Sequence, residues 1–158
     1  MPSLKSLDLP SRYAERAVDA TALCTLTGLT SLRIIGVEGA TGEWVLELGG
    51  FTMLTTLDLR HCTVTEAEVL AVGTLTALTR LLLFNCVNVT DVAVGALSSF
   101  TGLTGLNLRN CRNVTDLGVG RLSGLTALST LYLSDCPNVT AAGKHALHTA
   151  SPNLTIVD

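Results

Sequence analysis

The amino-acid sequence predicts an α/β solenoid, in which short parallel strands line a concave face and helices cover the convex one. Three observations predict it. The pattern Leu-x-x-Leu-x-Leu, with Ile once in the last place, starts at Leu4, Leu29, Leu54, Leu78, Leu103 and Leu128, in steps of 24 or 25 residues. Each copy changes period halfway, from strand alternation to helical spacing. No linker, charge run or change of composition interrupts the series. Self-similarity at a fixed period marks stacked repeats, and one strand with one helix cannot close a core unless copies pile up.

The first copy, Leu4/Leu7/Leu9, supplies an opening strand, and the second is Leu29/Leu32/Ile34. The next four are Leu54/Leu57/Leu59, Leu78/Leu81/Leu83, Leu103/Leu106/Leu108 and Leu128/Leu131/Leu133. A partial seventh strand follows over 154–158. The helical half is clearest in Thr115-Asp116-x-x-Val119-x-x-Leu122-x-x-Leu125. Thr65, Thr90, Thr115 and Thr140 stand where an N-cap hydroxyl can accept an orphan N–H. Glu66, Asp91 and Asp116 follow in the first turn, favoured by the helix dipole. Thr65 and Glu68 have capping-box spacing. Helices are wider than strands, so the stack curves with its sheet inside, over an arc of about 29 Å at about 4.8 Å per strand. Residues 1–158 read as a single domain.

Composition narrows the function. The chain has 158 residues, 47% of them hydrophobic, and a net charge of −3. It holds 30 leucines and 22 threonines but only six aromatic residues. A chain this apolar repays its ordering entropy, which excludes disorder. No apolar run approaches the roughly 18 residues that a membrane span needs. The opening Met1-Pro2-Ser3-Leu4-Lys5-Ser6-Leu7-Asp8 lacks the apolar stretch of a secretory leader, so a cytoplasmic location is expected. Net acidity argues against a nucleic-acid partner.

Strand alternation assigns the side chains that leave the sheet. Three columns follow: Ser6, Ser31, Thr56, Arg80, Gly105, Thr130; then Asp8, Arg33, Asp58, Leu82, Asn107, Tyr132; then Pro10, Ile35, Arg60, Phe84, Arg109, Ser134. Ser11, Gly36, His61, Asn85, Asn110 and Asp135 close the strands. Leu82 and Phe84 are apolar where exposure is expected, with Ile35 and Tyr132 nearby and arginines around them, the composition of a binding hot spot. With Lys5 counted, this face carries +2 of charge and the rest of the chain −5. It should attract an acidic or mixed-charge segment. Alternatively Asp58 pairs with Arg33 or Arg80 in a solvated ladder of little energetic weight.

Chemistry beyond binding finds little footing. Cys62, Cys86, Cys111 and Cys136 share one repeat position and Cys24 lies elsewhere. Without close-spaced pairs they do not suit zinc, and they read as small buried thiols filling a core column. Asn88, Asn113, Asn138 and Asn153 head sequons, the first three within a recurring Asn-Val-Thr turn where structure explains both residues. His61 has no nucleophile motif beside it, and His145 and His148 share a helix face without a third ligand. Gly49-Gly50 lacks the lysine of a phosphate loop. No enzyme, metal or cofactor is expected.

The stretch Leu103-Thr-Gly-Leu-Asn-Leu-Arg-Asn-Cys111-Arg-Asn-Val-Thr-Asp116 resembles a leucine-rich repeat of the cysteine-containing subtype. That subtype occurs in F-box proteins of ubiquitin ligases and in kinetoplastid leucine-rich repeat proteins. The resemblance extends over residues 4–158 and implies a right-handed α/β superhelix whose concave sheet binds another protein. The chain departs from it at Pro10 and Arg12, at Val37 and Thr41-Gly42-Glu43-Trp44, and at Lys144, which suggests capping of the terminal repeats. The expected function is an intracellular adaptor or scaffold. Its expected contact residues are Arg33, Ile35, Asp58, Arg60, Arg80, Leu82, Phe84, Asn107, Arg109 and Tyr132, with no nucleic acid and no membrane as partner. The alternatives are the substrate-reading part of an F-box adaptor, a secreted or surface antigen, and self-association through exposed terminal strands.

Overall fold

A computed structural model describes residues 4–9, 25–36 and 47–158. Among them, seven parallel strands pair in chain order: β1 (Ser6–Leu9), β2 (Ser31–Ile34), β3 (Thr56–Asp58), β4 (Arg80–Leu82), β5 (Gly105–Asn107), β6 (Thr130–Tyr132) and β7 (Thr155–Val157). The register puts Leu7, Leu32, Leu57, Leu81, Leu106, Leu131 and Ile156 in one column across the sheet. Helices return the chain between strands: α1 (Glu66–Val72), α2 (Asp91–Ala96), α3 (Asp116–Arg121) and α4 (Ala141–Ala150). A 3₁₀ turn, Glu47–Gly50, precedes β3. This is the α/β leucine-rich repeat solenoid that the sequence pattern predicts. Pro10, Ser11, Arg12, Cys24, Val37 and the Thr41–Trp44 segment lie outside the described residues.

The core lies between sheet and helices. Leu32, Leu57, Leu81, Leu106 and Leu131 are buried from the sheet side, and Val69, Val94, Val119 and Leu147 from the helices. Each fully buried leucine contributes about 1.5–3 kcal/mol, so the column dominates stability.

Polar side chains join each coil to the next at three places. At the strand entrance, the hydroxyls of Thr30, Thr55, Thr79, Thr104 and Ser129 donate to the carbonyls of Lys5, Thr30, Thr55, Thr79 and Thr104 at 2.9–3.1 Å. This chain of hydroxyls accounts for part of the threonine content. At the strand exit, the thiols of Cys62, Cys86, Cys111 and Cys136 donate to the carbonyls of Ile34, Leu59, Leu83 and Leu108 at 3.0–3.4 Å. The backbone bends there, and the carbonyls of Leu59, Leu83 and Leu108 also accept from the N–H groups of Cys62, Cys86 and Cys111, so at these three the thiol is a second donor reaching back from the next coil. All four are buried, as a core column requires. Desolvation pushes the Cys111 thiol up to about 12, and Cys86 rises further for the same reason.

The third connection is at the helix starts. Asp91 accepts from the backbone N–H and the hydroxyl of Thr115, and Asp116 does the same for Thr140. These bonds press each carboxylate against the next helix. A Cβ at Gly118 would come within 3.0 Å of Asp91 Cα, and one at Gly143 within 2.9 Å of Asp116 Cβ. Glycine is required at both positions. The cap threonines hold as expected at Thr115 and Thr140, which accept from Leu117 and Gly143 at 3.2 Å. At Thr65 the box closes through Glu68, whose carboxylate takes the Thr65 N–H at 2.5 Å. Thr90 departs from the expectation: its buried Oγ1 has no partner. The preceding coil places Glu66 where Asp91 and Asp116 stand later.

The strand-closing residues His61, Asn85, Asn110 and Asp135 have φ between 56° and 59°, and Gly36 has φ 71°. They make the left-handed turn out of each strand, a conformation that Gly, Asn, Asp and His tolerate best. Two sequon asparagines are structural as well: Asn113 and Asn138 donate through Nδ2 to the carbonyls of Val87 and Arg112 at 2.7 Å. A glycan would occupy those same nitrogens.

Candidate binding surface

Strand side chains that point away from the core line a trough of about 550 Å³ running from β1 to β6. Six of the expected contact residues meet there: Arg33, Asp58, Arg80, Leu82, Asn107 and Tyr132. Ser6, Ser31, Thr56, Gly105 and Thr130 form its small, mostly hydroxyl-bearing floor. The other four expected residues, Ile35, Arg60, Phe84 and Arg109, sit at the strand exits and do not line the trough.

Asp58 differs from its expected exposure. It lies on the concave side but is only 5% exposed, because two arginines cover it. Arg60 clamps it through Nε at 2.8 Å and Nη2 at 2.8 Å, and Arg33 reaches it through Nε at 3.1 Å. Arg33 also bonds Asp8 across β1 and β2 at 3.1 Å. Asp58 first, and Asp8 after it, hold the Arg33 guanidinium still more firmly in its charged form. The carboxylate thus takes Arg33 and Arg60, rather than Arg80, and fixes two guanidiniums on the sheet.

Phe84 is outside the core and half-buried at the strand exit. The His61 ring meets it edge-on, with centroids 4.9 Å apart and planes at 87°. The Arg109 guanidinium lies 5.8 Å from the Phe84 centroid, a contact of about 0.5–1 kcal/mol in such exposed settings. His61 is held in turn by Asn85 Nδ2 at 2.9 Å, and Asn85 by Asn110. Alternation marks His61 only as a strand-end residue, and its place in the same column as Asn85 and Asn110 is the sequence signal for its contacts with Phe84 and Asn85. Gly105 stands in the outward column expected for it, where a Cβ would lie 3.6 Å from Arg80 Cγ, so the glycine leaves open space beside that arginine.

Arg80 and Arg109 have no carboxylate partner among the described residues. The central strands therefore present two guanidiniums without countercharge. Among the described residues no group of three His, Cys, Asp or Glu side chains is placed to hold a metal. His145 and His148 lie on α4 beside Lys144, which pairs with Asp158. No helix there is long and apolar enough to cross a membrane.

No family model matches the sequence, and no curated protein is significantly similar to it. Solved structures are. A leucine-rich repeat protein of Leptospira interrogans superposes with a TM-score of 0.59 at 18% identity, over 86% of this chain and 33% of its own. Internalin C2 of Listeria monocytogenes gives 0.57 at 26% identity, over 88% of this chain and 55% of that one. Internalin F of the same bacterium gives 0.57 at 18% identity, over 98% and 47%. The chain thus spans between a third and just over half of these proteins, and the likeness is one of fold: all are leucine-rich repeat solenoids.

Proposed function

We propose that the chain is a non-enzymatic protein-interaction module, a single domain acting as an adaptor or scaffold, and that its partner docks on the concave sheet. The observation that carries this reading is the trough itself. Strands hold its side chains at fixed spacing, and Asp58 pins Arg33 and Arg60 in place. Little ordering entropy is then lost on binding. Phe84, flanked by His61 and Arg109, supplies a rigid aromatic anchor of the kind that dominates interfaces.

The four thiols in one column, each bonded to the preceding coil, support the cysteine-containing repeat subtype. The free thiols of Cys86, Cys111 and Cys136 favour a reducing, intracellular setting. The engaged amides of Asn113 and Asn138 weigh against a glycosylated surface antigen.

The test is affinity capture from native extract with the wild type, Phe84→Ala and Arg109→Ala. Both substitutions should lose the captured partner while leaving thermal unfolding little changed. Retention of the partner by both variants, and by Tyr132→Ala within the trough, would remove the concave face from the interface.

A further inference from the structure

We propose that the concave face takes an extended acidic segment with the pattern acid-x-apolar-x-acid, its two carboxylates read by Arg80 and Arg109. The proposal rests on the concave face being the partner site. Of the arginines on this face, Arg33 and Arg60 are engaged by Asp58 and Asp8. Arg80 and Arg109 are the guanidiniums left without a carboxylate among the described residues, and both are exposed.

Their separation is fixed by the sheet. Arg80 pairs with Gly105 across β4 and β5, and Arg109 lies four residues further along. The ladder stays in register to that point, since Leu83 and Asn85 donate to the carbonyls of Asn107 and Arg109 at 2.8 Å. At about 3.3 Å per residue and 4.8 Å between strands, the two Cα atoms stand about 14 Å apart. A ligand strand laid along β4 and β5 points every second side chain at the sheet. Carboxylates four residues apart span about 13 Å and meet both arginines, whereas spacings of two or six residues miss by about 7 Å.

The intervening inward residue faces Leu82 and Asn107. Leu82 offers an apolar contact. The Asn107 Oδ1 is occupied by the Arg109 N–H at 3.0 Å, which orients the amide as a donor toward the ligand. Gly105 keeps the space beside Arg80 open. The motif reads alike in both directions, so parallel and antiparallel ligands are equivalent in charge.

Fluorescein-labelled peptides of one composition test this: two glutamates and one leucine in a serine–threonine background, with the glutamates two, four or six positions apart. Anisotropy titration at low salt should show the four-residue spacing binding about tenfold tighter than the others, the worth of one added charge-assisted hydrogen bond. Arg80→Gln and Arg109→Gln should each abolish that preference, with the melting temperature unshifted for Arg80→Gln and lowered by no more than about 4 °C for Arg109→Gln, which loses the Phe84 contact. Equal binding at every spacing, or no binding at any, overturns the proposal. The capture experiment with Phe84→Ala and Tyr132→Ala decides separately whether the concave face is the partner site, so the motif can fail while the broader reading stands.

Discussion

The carboxylate of Asp91 holds Thr115 of the next coil by two bonds, 2.7 Å from its backbone nitrogen and 2.6 Å from its hydroxyl. One coil's helix start is thereby seated on another's, and Asp116 repeats the arrangement with Thr140. This contact reverses an ordinary rule. Alanine in a helix is normally about 1 kcal/mol better than glycine. At Gly118 and Gly143 the added methyl would drive into the stapling aspartate. Gly118→Ala and Gly143→Ala should each destabilise by about 1–3 kcal/mol through overpacking, as read from urea denaturation. A gain in stability from either would refute the seating.

The unpartnered Thr90 hydroxyl marks where that device is missing. Ala93 stands where Gly118 and Gly143 stand later, and Glu66 where the aspartates stand. Ala93→Gly alone should cost about 0.5–1 kcal/mol. Combined with Glu66→Asp, it should build the missing staple and recover at least about 1 kcal/mol beyond the sum of the single changes. A double-mutant cycle that is additive would show that the carboxylate cannot reach Thr90.

Acid should weaken the same contact. The Thr140 hydroxyl, and then its backbone N–H, hold Asp116 below the usual carboxylate value of 3.8. The unfolded chain then takes up a proton more readily than the folded one. Asp116 therefore contributes its stability above about pH 4 and loses it as pH falls through the lower folded-state value. Asp116→Asn should flatten the stability profile between about pH 4 and 2, measured by thermal melting across that range. An unchanged slope would contradict the assignment.

Buried thiols should be inert. At pH 8 the native protein should react with a disulfide reagent at Cys86 and Cys111 only as fast as it unfolds, because desolvation keeps both protonated. Mass spectrometry of the labelled sites in increasing urea provides the check. Fast labelling of either residue in buffer alone would show that the column is open.

Asp58 is the keystone of the concave charges. Asp58→Ala removes a nearly buried acceptor of two guanidiniums and should cost about 1–3 kcal/mol. Arg33→Ala strips an exposed partner and should cost less than about 1 kcal/mol. Comparable losses in both variants, measured by denaturation at physiological salt, would argue against this asymmetry.

The sequence made the sheet legible because burial acts on every coil alike. The leucine spacing locates the seven strands of the described residues, and alternation puts Arg80, Leu82, Asn107 and Tyr132 on the face that lines the trough. The four cysteines read correctly as core for the same reason. What alternation could not supply was which charged side chains would find each other. Arg33 stands one strand away from Asp58 and Arg60 two residues further along the chain, and alternation alone does not say that both turn toward it. The left-handed turn at His61, Asn85, Asn110 and Asp135 is written in their residue types, but the same polar residues would also suit the exposed end of a strand. The aspartate staples looked like helix-dipole residues, since the first turn of a helix gives acidic side chains a reason to be there whether or not another coil lies within reach.

The hydroxyls of Thr30, Thr55, Thr79, Thr104 and Ser129 make the same bond at successive steps. A module that hooks its predecessor in this way also offers its own carbonyl to whatever follows. Tandem duplication of one module then needs no new fitting at either junction. Inserted between β4 and β5, such a copy would widen the gap between Arg80 and Arg109 by one strand width and change the ligand read, so recognition could diversify by copying alone.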